Sequence, residues 1–358
     1  MRRNILVTGA TGKQGRSLLR ALVHPHKPPN SPSPPSNLDN VQQYGAYDYH
    51  IYALTRDPTS LAARSLLSIG AELHSPDYNG ESPVELAKGD LDDEKLMEKV
   101  FENVKPWGIF ACLAYPGLGV DASGEERQGK MLADLSLKYG VECFIYSSAT
   151  RAGPKYEDLC EKSALAKSRI ERHCRDLGDK EGLPWTIIRP GFFFENFDDF
   201  IGSMTYSVLK SGLKKETAVG FIGAEDIGRV AAAVFGDNKK YKYKVLCLCS
   251  EFLTMNQLEE SHQRTVHRRM PRVPSAFAWI ITRLNNATQD LIRDLERSHL
   301  ARAEGSYVEI DEELRLANEA YKMRPHAEYI MQRTDEGAVD VGREWNGLSL
   351  KKLLTGRL

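Results

Sequence analysis

The chain has 358 residues, of which 41% are hydrophobic and 27% charged, with a formal net charge of -1. That is enough apolar material for a sizeable core, and the near-neutral balance leaves no global field to recruit nucleic acid or an acidic membrane surface. No apolar run approaches the roughly 18 residues a membrane span needs, and the N-terminus passes almost directly into ILVTGATG without a secretory or transit pattern; a cytoplasmic protein is expected.

The first element is a short apolar strand from Asn4 to Thr8, followed by a glycine-rich turn and RSLLRALV, whose leucines recur at helical spacing. HKPPNSPSPPSNLDN then reads as a flexible surface insertion, since proline cannot hold regular backbone pairing. YHIYALTR (49–56) is a second strand, and the segment from Pro58 through LAARSLLSIG a second helix ending at Gly70. The third strand is either GAELHS or VELAKGDLDD, which the polar insertion PDYNGESP separates. LDDEKLMEKVFENV reads as a helix with acidic residues in its first turn, matched to the positive end of the helix dipole.

The alternation continues with strand GIFACLAY (108–115), helix EERQGKMLADLSLKYG, strand VECFIYSSA (141–149), helix SALAKSRIERHCRDLG and strand WTIIRPG (185–191). Six strands separated by helices of this length imply parallel crossovers: an α/β fold, a Rossmann doubly wound parallel sheet with helices on both faces. After Gly191 come FFFENFDDFIG, the helix AEDIGRVAAAVFGD, a strand KYKVLCLCS (242–250) and a mostly helical remainder. The expected organisation is a dinucleotide-binding domain over 1–191, with strands at about 219–250 returning to it, and a smaller, mostly helical lobe interleaved over 192–358. The six cysteines lack CxxC spacing, and the pair in Cys247-Leu-Cys249 shares one face if it lies on a strand. Reduced buried thiols are expected, and no metal site.

The turn Gly9-Ala-Thr11-Gly12-Lys13-Gln14-Gly15 lies directly between a strand and a helix. Glycines there permit a tight turn and let a pyrophosphate approach the amides of the helix N-terminus. The second strand ends in Thr55 and Arg56, where an acidic residue would accept bonds from a ribose 2'-hydroxyl. Arginine cannot accept a bond, but its fork grips a 2'-phosphate at two points, which favours NADP over NAD. Asp57 opposes this somewhat, and Lys13 offers a second positive charge for the phosphate.

ILVTGATGKQGRSLLRALV, YALTRDP, KGDLDD, ECFIYSSA, the lone lysine of SALAKSRIERH, WTIIRPGFFFENF and AEDIGRVAA occur in an order that resembles the NmrA-like proteins, atypical short-chain dehydrogenases/reductases, over roughly residues 4–260. The resemblance implies that Gly9–Gly15 hold the pyrophosphate and Arg56 the 2'-phosphate, that Asp90 and Leu91 flank the adenine, that Leu113, Ala114 and Tyr115 pass beneath the ribose, and that Phe193, Phe194 and Asn196 border the nicotinamide. Some relatives, similar to the fungal regulator NmrA, bind the dinucleotide and act through protein partners. Others, close to isoflavone reductases, transfer hydride from NADPH.

Orthodox short-chain dehydrogenases place a tyrosine one helical turn before a lysine, so that the ammonium lowers the phenol's pKa. Here Ser163 occupies the tyrosine position and Lys167 the lysine position. Lys167 bonds the nicotinamide ribose, or also moves the proton as the lysine does in isoflavone-reductase-like enzymes, or merely lies on a solvated face. Ser147, Ser148 and Tyr156 are further candidates, Ser148 the foremost, and Phe192, Phe193, Phe194 and Phe197 form either an aromatic substrate pocket or a core cluster. The basic run HQRTVHRRMPR (262–272) has no interleaved aromatics and reads as a solvated face, with a partner surface or a site for an anionic substrate tail as alternatives, not a nucleic-acid site. The apolar helix FAWIITRL reads as core packing, with the lining of a substrate cavity or a dimer contact as the alternatives. An NADPH-dependent oxidoreductase acting on a small aromatic or secondary-metabolite-like compound is the leading expectation. The alternative is an NADP(H) sensor that recruits a protein partner, in the nucleus if it regulates transcription.

Overall fold

Alternation along the strands decides the layering. In the first strand Ile5 and Val7 join one buried cluster and Leu6 the opposite one, all three fully buried, so both faces of the sheet are covered. The computed structural model describes residues 2–23, 49–71 and 82–335; the Pro/Ser-rich insertion, Glu72–Ser75 of GAELHS and most of PDYNGESP lie outside them.

The first half runs β1 (Arg3–Val7), α1 (Lys13–Val23), β2 (Tyr49–Thr55), α2 (Leu61–Ala71), β3 (Val84–Lys88), α3 (Glu94–Val104), β4 (Gly108–Cys112), α4 (Ser123–Lys138), β5 (Cys143–Ser147), α5 (Lys162–Glu181) and β6 (Trp185–Pro190). Then follow β7 (Phe192–Phe193), α6 (Asp199–Gly212), β8 (Val219–Ile222), α7 (Ala224–Gly236), α8 (Asn238–Tyr241), β9 (Lys244–Leu248), β10 (Glu251–Leu253) and α9 (Met255–Val266). Four helices close the described chain: α10 (Ser275–Leu284), α11 (Asn286–Ala303), α12 (Ile310–Ala320) and α13 (His326–Asp335).

Seven parallel strands form the main sheet in the order β3-β2-β1-β4-β5-β6-β9. The doubly wound sheet expected from the alternation is present, with VELAK as the third strand and a seventh strand, β9, added beyond the six. Of the returning segment, only β9 joins this sheet; β8 lies between β10 and β7 in a separate three-stranded sheet. Helices α1, α2, α7 and α12 cover one face through Leu18, Leu19, Leu66, Val234 and Leu316. The other face takes α3, α4 and α5 through Phe101, Leu132 and Ile170. Because the chain winds outward from β1 through β2 to β3 and then returns to β4, a crevice opens where Val7 and Cys112 end, the place where sheets of this kind bind ligands.

The small sheet, α6, α9 and α13 enclose a second core around Phe194, Tyr206, Phe221, Leu258 and Tyr329. His326 lies in it, 3% exposed, with Nδ1 2.8 Å from the Ser261 hydroxyl and its ring 5.0 Å from that of Phe194. Its backbone N–H donates to Glu251. Burial, reinforced by the neighbouring His262, pushes the His326 pKa down to about 4. The folded state therefore disfavours the proton that the unfolded chain accepts below about pH 6.5. Stability is full above that value and is lost as the pH falls toward 4, by about 2 kcal/mol between neutrality and about pH 5. Urea unfolding at the two pH values checks this, and His326→Gln is expected to flatten the difference.

Candidate functional site

The glycine turn sits at the head of the crevice. Thr8, wholly buried, donates from its hydroxyl to the Cys112 carbonyl at 2.8 Å and accepts from the Cys112 N–H at 2.9 Å, stapling β1 to β4. Gly9 has φ +60°, and a Cβ there would stand 2.7 Å from the Cys112 oxygen; a Cβ on Gly15 would stand 2.4 Å from the Gly9 oxygen. No side chain fits at either position, which brings bare backbone and the free N–H groups at the start of α1 to the crevice. Gln14 accepts a bond from Ser147 at 2.7 Å, pinning the turn to β5. Arg16 ties the turn to α2 through the Thr11 carbonyl (2.9 Å) and the Ser65 hydroxyl (2.8 Å).

Lys13 reaches the segment after β7, with Nζ 3.4 Å from the Glu195 carbonyl and 3.9 Å from the Asp198 carboxylate. Burial lowers its pKa against the pull of both acids.

At the other end, Gly89 N–H donates to Thr55 at 3.0 Å, so β3 delivers the Asp90–Leu91 turn beside Arg56. Asp90 turns its carboxylate to the Asp92 N–H at 3.1 Å, and Leu91 packs on the core. The Asp57 carboxylate accepts from the Thr59 N–H (2.8 Å) and hydroxyl (2.6 Å) ahead of α2, while Arg56 stays exposed. Beyond β4, Leu113 is buried, and Ala114 and Tyr115 lie exposed.

Lys167 and Ser163 share one face of α5, and both are held by one residue that sequence reasoning missed. Glu125 of α4, 4% exposed, accepts from the Ser163 hydroxyl at 2.6 Å and forms an ion pair with the Lys167 ammonium. A signal existed: Gly129, Leu132, Ala133 and Ser136 mark the buried face of α4 at helical spacing, and Glu125 lies on it. Its neighbour Glu126 faces outward to Lys130 and Arg169.

Ser148 is not brought to Lys167. Its hydroxyl donates to Glu171 at 2.6 Å, within a buried network. Arg189 grips Glu171 by Nε (3.2 Å) and Nη2 (2.6 Å), Arg151 stands 2.8 Å from the same carboxylate, and Arg189 also meets Glu313 and the Tyr307 hydroxyl. Burial alone would raise the Glu171 pKa, but Arg189 and Arg151 outweigh it and hold the carboxyl below its usual value. The serine facing the glycine turn is Ser147. Tyr156 lies on a short 3-10 turn (Pro154–Leu159) under the Lys155 ammonium.

The phenylalanine run divides. Phe194, 2% exposed, stacks on Phe221 at 5.6 Å and touches Tyr329 at 5.0 Å; it is a core residue of the second layer, not a wall of the crevice. Phe192 and Phe197 follow it there, whereas Phe193 packs toward the main-sheet cluster and Asn196 is half-buried. Glu195 adds an unforeseen group. Its Oε1 accepts from the Ala224 N–H at the start of α7 (2.9 Å), its Oε2 is buried with no hydrogen-bond partner, and burial raises its pKa.

Elsewhere, part of the basic run continues α9, where Arg264 pairs with Glu260, and Arg272 pairs with Glu259. Ala278 and Ile281 of α10 pack on α6, but Trp279, Ile280 and Leu284 are exposed. The thiols of Cys247 and Cys249 lie 3.8 Å apart on one side of the chain. Among the described residues, no three His, Cys, Asp or Glu side chains group as metal ligands, and no helix is long and apolar enough to cross a membrane.

Among curated proteins, the chain is 27% identical over 305 residues to the NmrA-like family domain-containing oxidoreductase FrzB of Cladobotryum sp, spanning 77% of each. It is 24% identical over 298 residues to oxidoreductase ptmS of Penicillium ochrochloron, covering 78% of this chain and 77% of the relative. Among solved structures, NmrA, a negative transcriptional regulator, superposes with a TM-score of 0.62 at 19% identity, covering 98% of this chain and 99% of the other. The NADPH-dependent quinone oxidoreductase QOR2 of Escherichia coli superposes with a TM-score of 0.59 at 17% identity, covering 92% and 99%. The model of the NmrA-like family matches residues 1–330, and the chain belongs to that family.

Proposed function

We propose that the protein binds NADP(H) along the β1–β4 crevice and acts as an NADPH-dependent oxidoreductase on a small aromatic or secondary-metabolite-like substrate. The observation that carries this reading is the Glu125–Lys167 ion pair: a lysine on the expected helix face, fixed in place by a buried carboxylate although the tyrosine is missing. The residues suit a dinucleotide. Gly9 and Gly15 leave a cradle that any Cβ would fill, and Glu195 Oε2 is a buried acceptor without a donor. Gly9 to Gly15 would hold the pyrophosphate, exposed Arg56 the 2'-phosphate, and Asp90, Leu91 and Leu113 to Tyr115 the adenosine. Phe193, Asn196 and Glu195 would border the nicotinamide.

NADPH supplies hydride when bound. Ser163 is not the accompanying acid: an alkyl hydroxyl holds its proton far too tightly at neutral pH, and this one is engaged as a hydrogen-bond donor to Glu125. Lys167 spends one N–H on Glu125 and has others to orient the ribose, or to donate to the substrate directly or through a water. In this reading residues 1–191, completed by β9, form the dinucleotide unit, and the remainder is the substrate lobe. A second reading is favoured by the NmrA superposition over almost the whole chain: an NADP(H) sensor acting through a protein partner.

Titration calorimetry with NADPH, NADP+, NADH and NAD+, followed by turnover assays with quinones, triphenylmethane dyes and aromatic ketones, separates the two. Arg56→Glu is expected to weaken NADPH binding roughly 10- to 100-fold, as loss of a charge-assisted two-point contact does, and to leave NADH unchanged. Equal affinity of the unaltered protein for NADH and NADPH overturns the 2'-phosphate assignment. Tight NADPH binding with no acceptor reduced leaves the sensor reading.

A further inference from the structure

Between the carboxyl edge of β5, β6 and β9 and the three-stranded sheet lies a cavity of about 40 Å³, bordered by Thr150, Cys249, Phe252, Leu295, Ser298 and Arg302. That volume holds two or three water molecules, or one small polar group. Arg302, on α11, lays its guanidinium over the Phe252 ring with Cζ 4.3 Å from the centroid. Its Nε is buried and finds no acceptor, and among the described residues no carboxylate lies within ion-pair distance.

Several other arginines of this protein are paired with carboxylates. Arg151, on the same cavity, meets Glu157 and Glu171; Arg189 meets Glu171 and Glu313; Arg324 meets Glu225 and Asp226. A half-buried cation without a counter-charge is unfavourable, and one aromatic face compensates only in part. The hydroxyls of Thr150 and Ser298, which border the same space, make no hydrogen bond among the described residues. Phe252, Leu295 and the two thiols make most of the remaining wall apolar, and Arg151 and Tyr307, both committed to carboxylates, complete it. The group that complements a fork of N–H donors and two free hydroxyls inside an apolar wall is a planar anion with two oxygens.

We propose that this cavity is a recognition site for a carboxylate, and that the substrate is a small aromatic or otherwise apolar acid whose carboxylate is held by Arg302, Ser298 and Thr150. The place in the fold agrees with this: Thr150 follows Ser148 at the carboxyl edge of the sheet, where doubly wound folds receive ligands. The use of the site in turnover rests on the oxidoreductase reading, whereas binding of the acid does not.

The test titrates the full chain, with and without NADPH, with benzoate and acetate against their uncharged counterparts benzamide and acetamide. Benzoate is expected to bind at least tenfold more tightly than benzamide. Arg302→Met, which retains the apolar stem over Phe252, is expected to remove that preference while leaving NADPH affinity unchanged; Arg302→Lys is expected to keep part of it. Ser298→Ala, a milder change, is expected to weaken benzoate a few-fold should Arg302→Met fail to fold. Equal binding of acid and amide, or no binding of either, overturns the proposal. Benzoate binding that depends on Arg302, with no reduction of any aromatic acid or neutral acceptor, supports the site and sinks the oxidoreductase reading. Reduction of neutral acceptors with no effect of benzoate or of Arg302→Met does the reverse.

Discussion

Glu171→Met is expected to destabilise the protein by about 3–5 kcal/mol, the usual cost of removing one partner from a buried ion pair. Glu171 is 2% exposed and is the shared counter-charge of Arg189 and Arg151. Without it two guanidiniums confront each other beneath β6, with Glu313 left to serve Arg189 alone. Ser148 would lose its acceptor as well. In thermal melting the midpoint is expected to fall by roughly 5–10 °C. Removing both charges, as Glu171→Met with Arg189→Met, is expected to be milder than the sum of the two single changes, since an apolar replacement of a whole pair is often tolerated. A loss under about 1 kcal/mol for Glu171→Met would show that Glu313 suffices and that the network is not the tie between α5, β6 and α12.

The second large effect concerns Lys167. Lys167→Ala is expected to weaken NADPH binding by about tenfold and to lower kcat by a further 10²- to 10⁴-fold, the range for loss of a positioned proton donor. Glu125→Gln keeps a hydrogen-bonding partner of the same shape, so it is expected to preserve most NADPH affinity. The decisive comparison is calorimetry beside single-turnover hydride transfer. If Lys167→Ala weakens binding but turnover at saturating NADPH stays intact, the lysine only holds the ribose.

Much of the crevice was legible because its chemistry is local. A glycine triplet between a strand and a helix depends on backbone conformation alone, and Gly9 and Gly15 stand where their crowding demands. Lys167 and Ser163 were legible through helical spacing. What escaped depends on which way a side chain turns. Neighbouring Ser147 and Ser148 face opposite directions, one to Gln14 and the other to Glu171, and adjacency hides that choice. Phe192 to Phe194 carry no period of their own, and the 3-10 turn that starts at Phe194 breaks the alternation that would have separated them. VELAK did not stand out from GAELHS because β3 lies at the sheet edge with only Val84 fully buried, so its sequence never had to be uniformly apolar. Glu125 and Glu126 are chemically identical, and only the periodicity of α4 distinguishes the inner from the outer one. Arg302 gave no sign at all, since the significance of its charge lies in the carboxylates that do not surround it.

The Thr8 hydroxyl, which both gives to and takes from Cys112, limits how a large ligand enters. Prising β1 from β4 would break two bonds inside a sheet whose flanks are packed on both sides, so the floor of the crevice is a fixed surface. The opposite wall is tethered to the glycine turn more loosely, by Lys13 at 3.4 Å from Glu195 and 3.9 Å from Asp198. Beyond that tether the Phe194–Asp198 stretch is itself held, by Phe194 in the second core, by Glu195 on the Ala224 N–H and by Asp198 on Arg333, so both walls of the crevice are set before a ligand arrives.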